Sequence, residues 1–498
     1  MGMWPSFILK NNDSIKPDRN FKKRIKKLEK QLKLLKNKEN SKAEAKCFEE
    51  IGFLYFDQKL YDQAIENWTN ALRVYQETND RPSMAESYSN IGTALRLKNS
   101  LRQATSFYTK ALVLDHEFNK GEGELKSLHN LGGTWLELGE YENALEAYNN
   151  ALETARHHLN KTWEALTLYR LGETYEAGHK FLEAFRFYEE GLKIADALHF
   201  LEVMTRCTFG LGKCYEMLGE YTQSQLCYED SSEGAKNLND SDIETLIWVA
   251  RAFLNIHLGY LDQAREMSKK AQDISQNGSI SITVNIELAL LRAKIYAIQG
   301  MWEKVFRLLD EAEKNAEKLP NGYYLSKVML RKAEFEISCG HYENALALIF
   351  QMNGKYSEGK STLIDFESSL SLGHIYRGLK KDDQALAARE AAVLKAQALG
   401  SPQFLWISHH SLGRLYHQQQ RFDEARDHYQ SALKWIDRAA SSLNPEERPI
   451  FLHNKERLQV YQDFVILQLT TGHKEIAART LKRLNSETLY RKVQHFFK

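Results

Sequence analysis

Proline is nearly absent, with 7 in 498 residues where about 25 would be usual. Glycine, at 27, also falls short of the usual level of about 7 %. So few breakers exclude a turn-dense sheet protein and a Pro/Gly-rich disordered chain. The cysteines, Cys47, Cys207, Cys214, Cys227 and Cys339, are odd in number, far apart and without a CxxC pair. That pattern suggests neither a disulfide framework nor a zinc ribbon, and they read as small buried residues. No window reaches the roughly 18 apolar residues of a membrane span, and no apolar signal core opens the chain. An intracellular, cytoplasmic protein is therefore expected. A dominant charge sign is missing too, since 67 basic residues face 66 acidic ones for a net +1. No specific nucleic-acid partner is expected, and any electrostatic function must come from local segregation.

What is present is material for a core, 43 % apolar with 27 % charged residues, and a strong internal repeat. Length alone would suggest three domains at about 150 residues each, but periodicity replaces that prior. Gly52, Gly92, Gly132 and Gly172 recur at intervals of 40 in segments that align without a gap. The frame continues through Gly212, Ala252, Ala293, Ala333, Gly373 and Gly413, with one extra residue between the sixth and seventh copies. A degenerate last copy places Val465 there after a 52-residue step. Within a copy the order is apolar, small, aromatic, alanine, aromatic, small, as in Leu131, Gly132, Trp135, Ala144, Tyr148 and Ala151. Apolar steps of three and four predict two amphipathic helices per copy. The small residues mark where they cross closely, because a larger side chain there would force the pair apart.

These residues resemble the tetratricopeptide repeat family, over roughly residues 45–490, with units of 40 rather than the usual 34 and without its terminal proline. Longer units of this kind are similar to those of kinesin light chain, spindle adaptors of the LGN type and bacterial Rap-type peptide receptors. The resemblance implies an all-α fold, a right-handed α-solenoid of about eleven helix pairs, acting without catalysis or cofactor as a scaffold or adaptor. It implies a protein or peptide ligand, extended or helical, held in a concave groove lined by the first helix of each pair. The alternatives carried beside it are a Rap-type peptide-sensing regulator and a lipid-anchored membrane scaffold.

In that frame the groove-facing positions lie −6, −3, −2, +1 and +4 from the small residue. They give Asn90, Arg96, His129, Asn130, Arg170, Lys213, Lys294, Arg331, Arg377 and Arg414 as partner-binding residues. Glu173, Glu176, Arg206, Glu216, Lys327, Glu334, His374 and His417 stand beside them. Asn offers donor and acceptor to a peptide backbone, and Arg a bidentate fork to carboxylate or phosphate. The residue set of a chaperone-binding carboxylate clamp is not matched, since Glu49 and Phe53 occupy positions it would need.

The ends differ from the repeats. A flexible N-terminus over 1–15 precedes a basic amphipathic or capping segment, 16–44. Lys16 to Lys46 holds 13 basic and 4 acidic residues, a net +9 against −8 for the remainder. Ile25, Leu28, Leu32 and Leu35 form an apolar seam on it. Either it caps the first repeat, or its Lys22 to Lys38 region meets an anionic membrane or acidic partner. MGMWPS fits an N-myristoylation pattern with Gly2 as acceptor. The solenoid is expected over 45–485 with a loop insertion at 441–449, and a C-terminal capping helix over 486–498. Gly354, Gly359, Lys360 and Ser361 satisfy a P-loop spacing, but the preceding stretch is in frame as a second helix, which favours an inter-repeat loop. The doublets His157/His158 and His409/His410 lack a metalloprotease or triad context, and nothing supplies a nucleophile with its base.

Overall fold

The computed structural model describes residues 20–36, 41–118, 121–355 and 361–484. Among these residues the chain forms twenty-four helices and no strand. Twenty-two of the helices make eleven pairs, from Ser41–Asp57 with Tyr61–Glu77 to Lys455–Thr470 with Lys474–Leu484. The other two are Phe21–Lys36 and Glu447–Leu452. The chain divides into two compact units. The first takes Met1–Thr174, Glu190–Val203 and Leu319–Asn321, and the second Tyr175–Glu189, Met204–Lys318 and Gly322–Lys498. Each is a run of antiparallel helix pairs.

The pairs are antiparallel because each reversal is short. Residues with positive φ recur every twenty positions at Lys59, Asn79, Asn99, then Gly139, Leu159, His179, His199, Gly219, Asn239 and Gly259. Around them the backbone closes six-to-one bonds, for example from the Glu140 N–H to the Trp135 carbonyl at 2.9 Å and from Ser100 to Leu95 at 2.8 Å. This is the Schellman arrangement, which satisfies the last carbonyls and stops the helix. The extra residue between copies six and seven falls where Gly278 is extended, at φ −115° and ψ 171°, instead of left-handed.

Each pair is held by a small residue lying against a large one sixteen positions later. A Cβ added to Gly132 would stand 2.8 Å from the Tyr148 ring. The same holds for Gly92 and Tyr108 at 2.8 Å, Gly52 and Trp68 at 2.5 Å, Gly212 and Tyr228 at 2.6 Å, and Gly413 and Tyr429 at 2.9 Å. All five rings are buried. Where the frame carries Ala252, Ala293 and Ala333, position +16 is Ser268, Leu309 and Ile349, so the added methyl coincides with loss of the ring. Copy nine breaks the rule, since Gly373 faces the stem of Arg389.

The N-terminal helix Phe21–Lys36 docks its seam on copy one, with Ile25 buried against Ile51 and Leu54 and with Leu28 and Leu32 beside them. Lys22, Lys23, Lys26, Lys27 and Lys30 stay exposed. In the second unit, the stretch expected as a loop insertion includes the short helix Glu447–Leu452, whose Phe451 is fully buried. It fastens copies five and six to copy eleven. Thr222 Oγ1 donates to the Ser442 carbonyl at 2.9 Å, and Arg457 donates to the Phe451 carbonyl at 2.8 Å and to that of His257. Residues 1–19, with Gly2, and 485–498, with the expected capping helix, lie outside the described residues.

Gly132→Ala is expected to lower the stability of the first unit by about 1–3 kcal/mol through overpacking. The loss should shrink in a Tyr148→Leu background, which copies the Ala293 and Leu309 arrangement. Urea unfolding of the two single variants and the double variant measures this coupling.

Candidate functional site

First helices of successive copies lie side by side, as in copies two and three and in copies six to nine. Side chains at positions −6, −2, +1, +4 and +5 therefore reach partners 36 to 41 residues away, and the main consequence is a ladder of ion pairs. Arg96 Nε donates to Glu137 Oε1 at 2.9 Å in the first unit. In the second unit Lys213 pairs with Glu176, Lys327 with Glu287 at 2.6 Å, and Arg331 with Glu367 at 2.5 Å. Several predicted binding cations are thus already engaged between copies. Others are paired nearer by: Arg170 with Glu173 at 2.6 Å, Arg377 with Asp382 at 2.7 Å and Arg414 with Asp463 at 3.5 Å. Lys294 is exposed and makes no ion pair among the described residues.

The core rings send their hydroxyls to the same face. Tyr188 and Tyr228 donate to Glu176 and Glu216, each at 2.7 Å, and Tyr108 donates to Thr93 at 3.1 Å. Burial raises the Glu216 carboxyl to about 7, against the opposing pull of the Tyr228 hydrogen bond and Lys213. His129 is only 2 % exposed. Its Nε2 sits 2.7 Å from Thr167 Oγ1, and its ring packs against Tyr148 and Trp163. Burial, then Arg170, lowers its pKa to about 3, so it is neutral near pH 7. It has almost no surface to offer a ligand, which the spacing could not reveal.

Asn90 and Asn130 behave differently from the cations. Among the described residues the Asn90 Nδ2 is buried without a hydrogen-bond partner, and the Asn130 side chain makes none. Beside them in register lies a cleft of about 460 Å³. Its walls include Glu86, Ser89, Asp115, Glu122, Lys126 and Trp163. Glu86 and Lys126 occupy position −6 and Ser89 position −3. Ser127 donates to Asp115 at 3.0 Å. The acidic character of this cleft is hidden in the sequence, because Asp115 comes from a second helix and reaches the face only through the fold.

Among the described residues no group of three His, Cys, Asp or Glu side chains is placed to hold a metal ion. No described helix is long and apolar enough to cross a membrane. Of the P-loop match, Gly359 and Lys360 lie outside the described residues. Gly354 lies in the helix Tyr342–Lys355, and Ser361 caps the next helix by accepting from Ile364 N–H at 3.3 Å. His410 pairs with Asp463 at 2.9 Å, and His409 with His428 at 2.8 Å.

The raised pKa of Glu216 gives a pH test. Protonation is favoured in the fold over the unfolded chain, so the penalty is absent below about pH 4.5, grows as the pH rises, and is complete above about 7. Glu216→Gln should raise the melting temperature at pH 8 and leave it nearly unchanged at pH 4.5, by calorimetry at both values.

The tetratricopeptide repeat signature matches residues 44–114, 123–197 and 365–434. A 93-residue stretch is 38 % identical to "Uncharacterized protein ycf37" of Guillardia theta, covering 19 % of this chain and 48 % of that protein. Tetratricopeptide repeat protein 29 of Trypanosoma brucei brucei is 23 % identical over 209 residues, 41 % of this chain and 44 % of that protein. The chain spans less than half the length of these relatives. Among solved structures, apo RapI is 16 % identical with a TM-score of 0.48, covering 55 % of this chain and 99 % of RapI. A Rap protein complexed with competence and sporulation factor is 17 % identical with a TM-score of 0.44, over 62 % of this chain and 83 % of that one. Helix pairs in a 40-residue register and the matched signature agree, and the chain is a tetratricopeptide-repeat protein by its fold and by the three matched stretches.

Proposed function

We propose that the protein is a non-catalytic scaffold that captures a peptide or partner helix on the face built by its first helices. The observation that carries this reading is the pair of amides at one register position, Asn90 and Asn130, neither engaged by the described part of its own fold. A buried amide nitrogen without a partner costs free energy that a bound peptide carbonyl would recover. The neighbouring cations are mostly held by carboxylates, so they shape and stiffen the face while the amides contact the ligand backbone. The cleft between copies two and four adds space for a side chain. A partner carrying lysine or arginine suits its Glu86, Asp115 and Glu122.

Capture without large rearrangement is favoured over a ligand-driven change of pitch. Such a change in the second unit would have to break the Arg457 and Thr222 bonds around Phe451. Arg457 is 2 % exposed and its guanidinium stacks 3.5 Å from the Phe451 ring, so undocking would cost packing as well as hydrogen bonds. Membrane attachment through the N-terminal helix draws no support from its apolar seam, which is already occupied by copy one. Only the exposed lysine face remains for an anionic or acidic partner.

An Asn90→Ala/Asn130→Ala double variant should lose its partner by at least tenfold while its melting temperature stays within about 2 °C, since no native hydrogen bond is removed. Affinity purification from the native source, wild type against variant, followed by titration with the recovered partner, measures this. Full retention of every partner by a folded double variant would refute the assignment.

A further inference from the structure

In the second unit, copy nine departs from the repeat rule with a side chain that has no counter-charge among the described residues. At the position where five other copies bury an aromatic ring against glycine, it carries Arg389. The stem lies against Gly373, as the rings do elsewhere, and the residue is 6 % exposed. Nη1 donates to the Ser411 carbonyl at 2.7 Å, and Nε is buried with no partner among the described residues. The charged side chains that act on it, Arg414 and Arg377, are both cations. His374 stands in the same company of Arg389, Arg414 and His410. The nearby acids are already taken, Asp463 by His410 at 2.9 Å, by Gln459 at 2.7 Å and more distantly by Arg414, and Asp382 by Arg377 at 2.7 Å.

A buried guanidinium facing other cations is unstable unless something offsets it. Burial first, then Arg414 and Arg377, push Arg389 down to about 10, still well charged at pH 7. The tyrosines at this frame position send their tips to the groove face, and Arg389 reaches the backbone of Ser411 at groove position −2. Arg414 and His374 are exposed there and Arg377 is half-buried, so solvent reaches the cationic cluster.

We infer that Arg389, Arg414, Arg377 and His374 form an oxyanion site on the groove face of copies nine and ten, taking a carboxylate or phosphate group. A planar fork with free donors meets such a group bidentately, and a bound oxyanion offsets the repulsion that Arg414 and Arg377 exert on Arg389. The inference rests on the groove reading only in assigning the oxyanion to a bound peptide. The site itself stands on the local charges.

The test uses the full chain and two probes, inorganic phosphate and acetate, at fixed ionic strength with chloride as the balancing ion. The wild-type melting temperature should rise saturably with at least one of them. Arg389→Tyr, which restores the ring of the other copies, should weaken the apparent affinity at least tenfold, and Arg389→Gln should do the same if the ring overfills the site. Arg307→Gln, a charge loss at an exposed i,i+4 pair, should change nothing. Phosphate alone acting identifies a phosphoryl group, acetate alone a carboxylate, and both the shared chemistry. A wild type indifferent to both anions, or a folded Arg389→Tyr that responds as the wild type does, overturns the site. The Asn90 and Asn130 variant is scored separately, so loss of its partner with no anion effect would leave the groove standing and remove only this site.

Discussion

The structure depends on one contact, a glycine with no room for a methyl lying against a buried ring sixteen residues later. With 2.5 to 2.9 Å between a would-be Cβ and the ring in five copies, the two helices of a pair approach as closely as the ring's thickness allows. Helix separation is then set by stereochemistry and not by side-chain compromise, and the same spacing is repeated down the chain. Copies with alanine give up the ring, and the smaller residue at +16 leaves room for the added methyl.

That contact also determines the chemistry of the face built by the first helices. A tyrosine pinned against glycine projects its hydroxyl through the pair, where it meets Glu176, Glu216 or Thr93. Carboxylates on this face accept from lysines and arginines of the neighbouring copy, and the face becomes a ladder whose rungs are satisfied internally. Two departures from this economy stand out against it. The asparagines of copies two and three have amide groups to spare, and the arginine of copy nine brings a charge where a ring belongs. The proposed binding rests on those departures because most of the charge around them is already paired. Stability in such an array comes from each pair and its neighbours, and in the second unit copies five and six also share a buried cluster with copies ten and eleven.

The fold was legible from the sequence because the repeat encodes it directly. The spacing of Gly52, Gly92 and Gly132, and the alanine and aromatic positions that follow, fix two helices per copy and the face each buries. The close crossing at glycine was also readable, though its partner at +16 needed the structure. The face proposed to bind a partner was less legible. The register groups Arg96, Lys213 and Arg331, but charge at a groove position does not reveal whether a carboxylate 36 to 41 residues away already holds it. Opposite signs at matching positions would expose only the Glu287 and Lys327 rung, both at −6, because the other rungs cross between different positions of adjacent copies. His129 looks like a polar wall because periodicity cannot see that Tyr148 and Trp163 close over it. Arg389 gives no signal because it sits on a second helix, which the frame assigns to the core.

The central claim is that the glycine-to-ring contact holds each helix pair and that its influence spreads only to neighbouring copies. Native-state hydrogen exchange by mass spectrometry, comparing wild type with Gly132→Ala, tests it most directly. The account predicts faster exchange across Gly121–Leu138 and Tyr141–His157, a smaller increase in copies two and four, and unchanged protection in copies nine and ten. Unaltered exchange in copy three, or an equal rise in every copy, would contradict it.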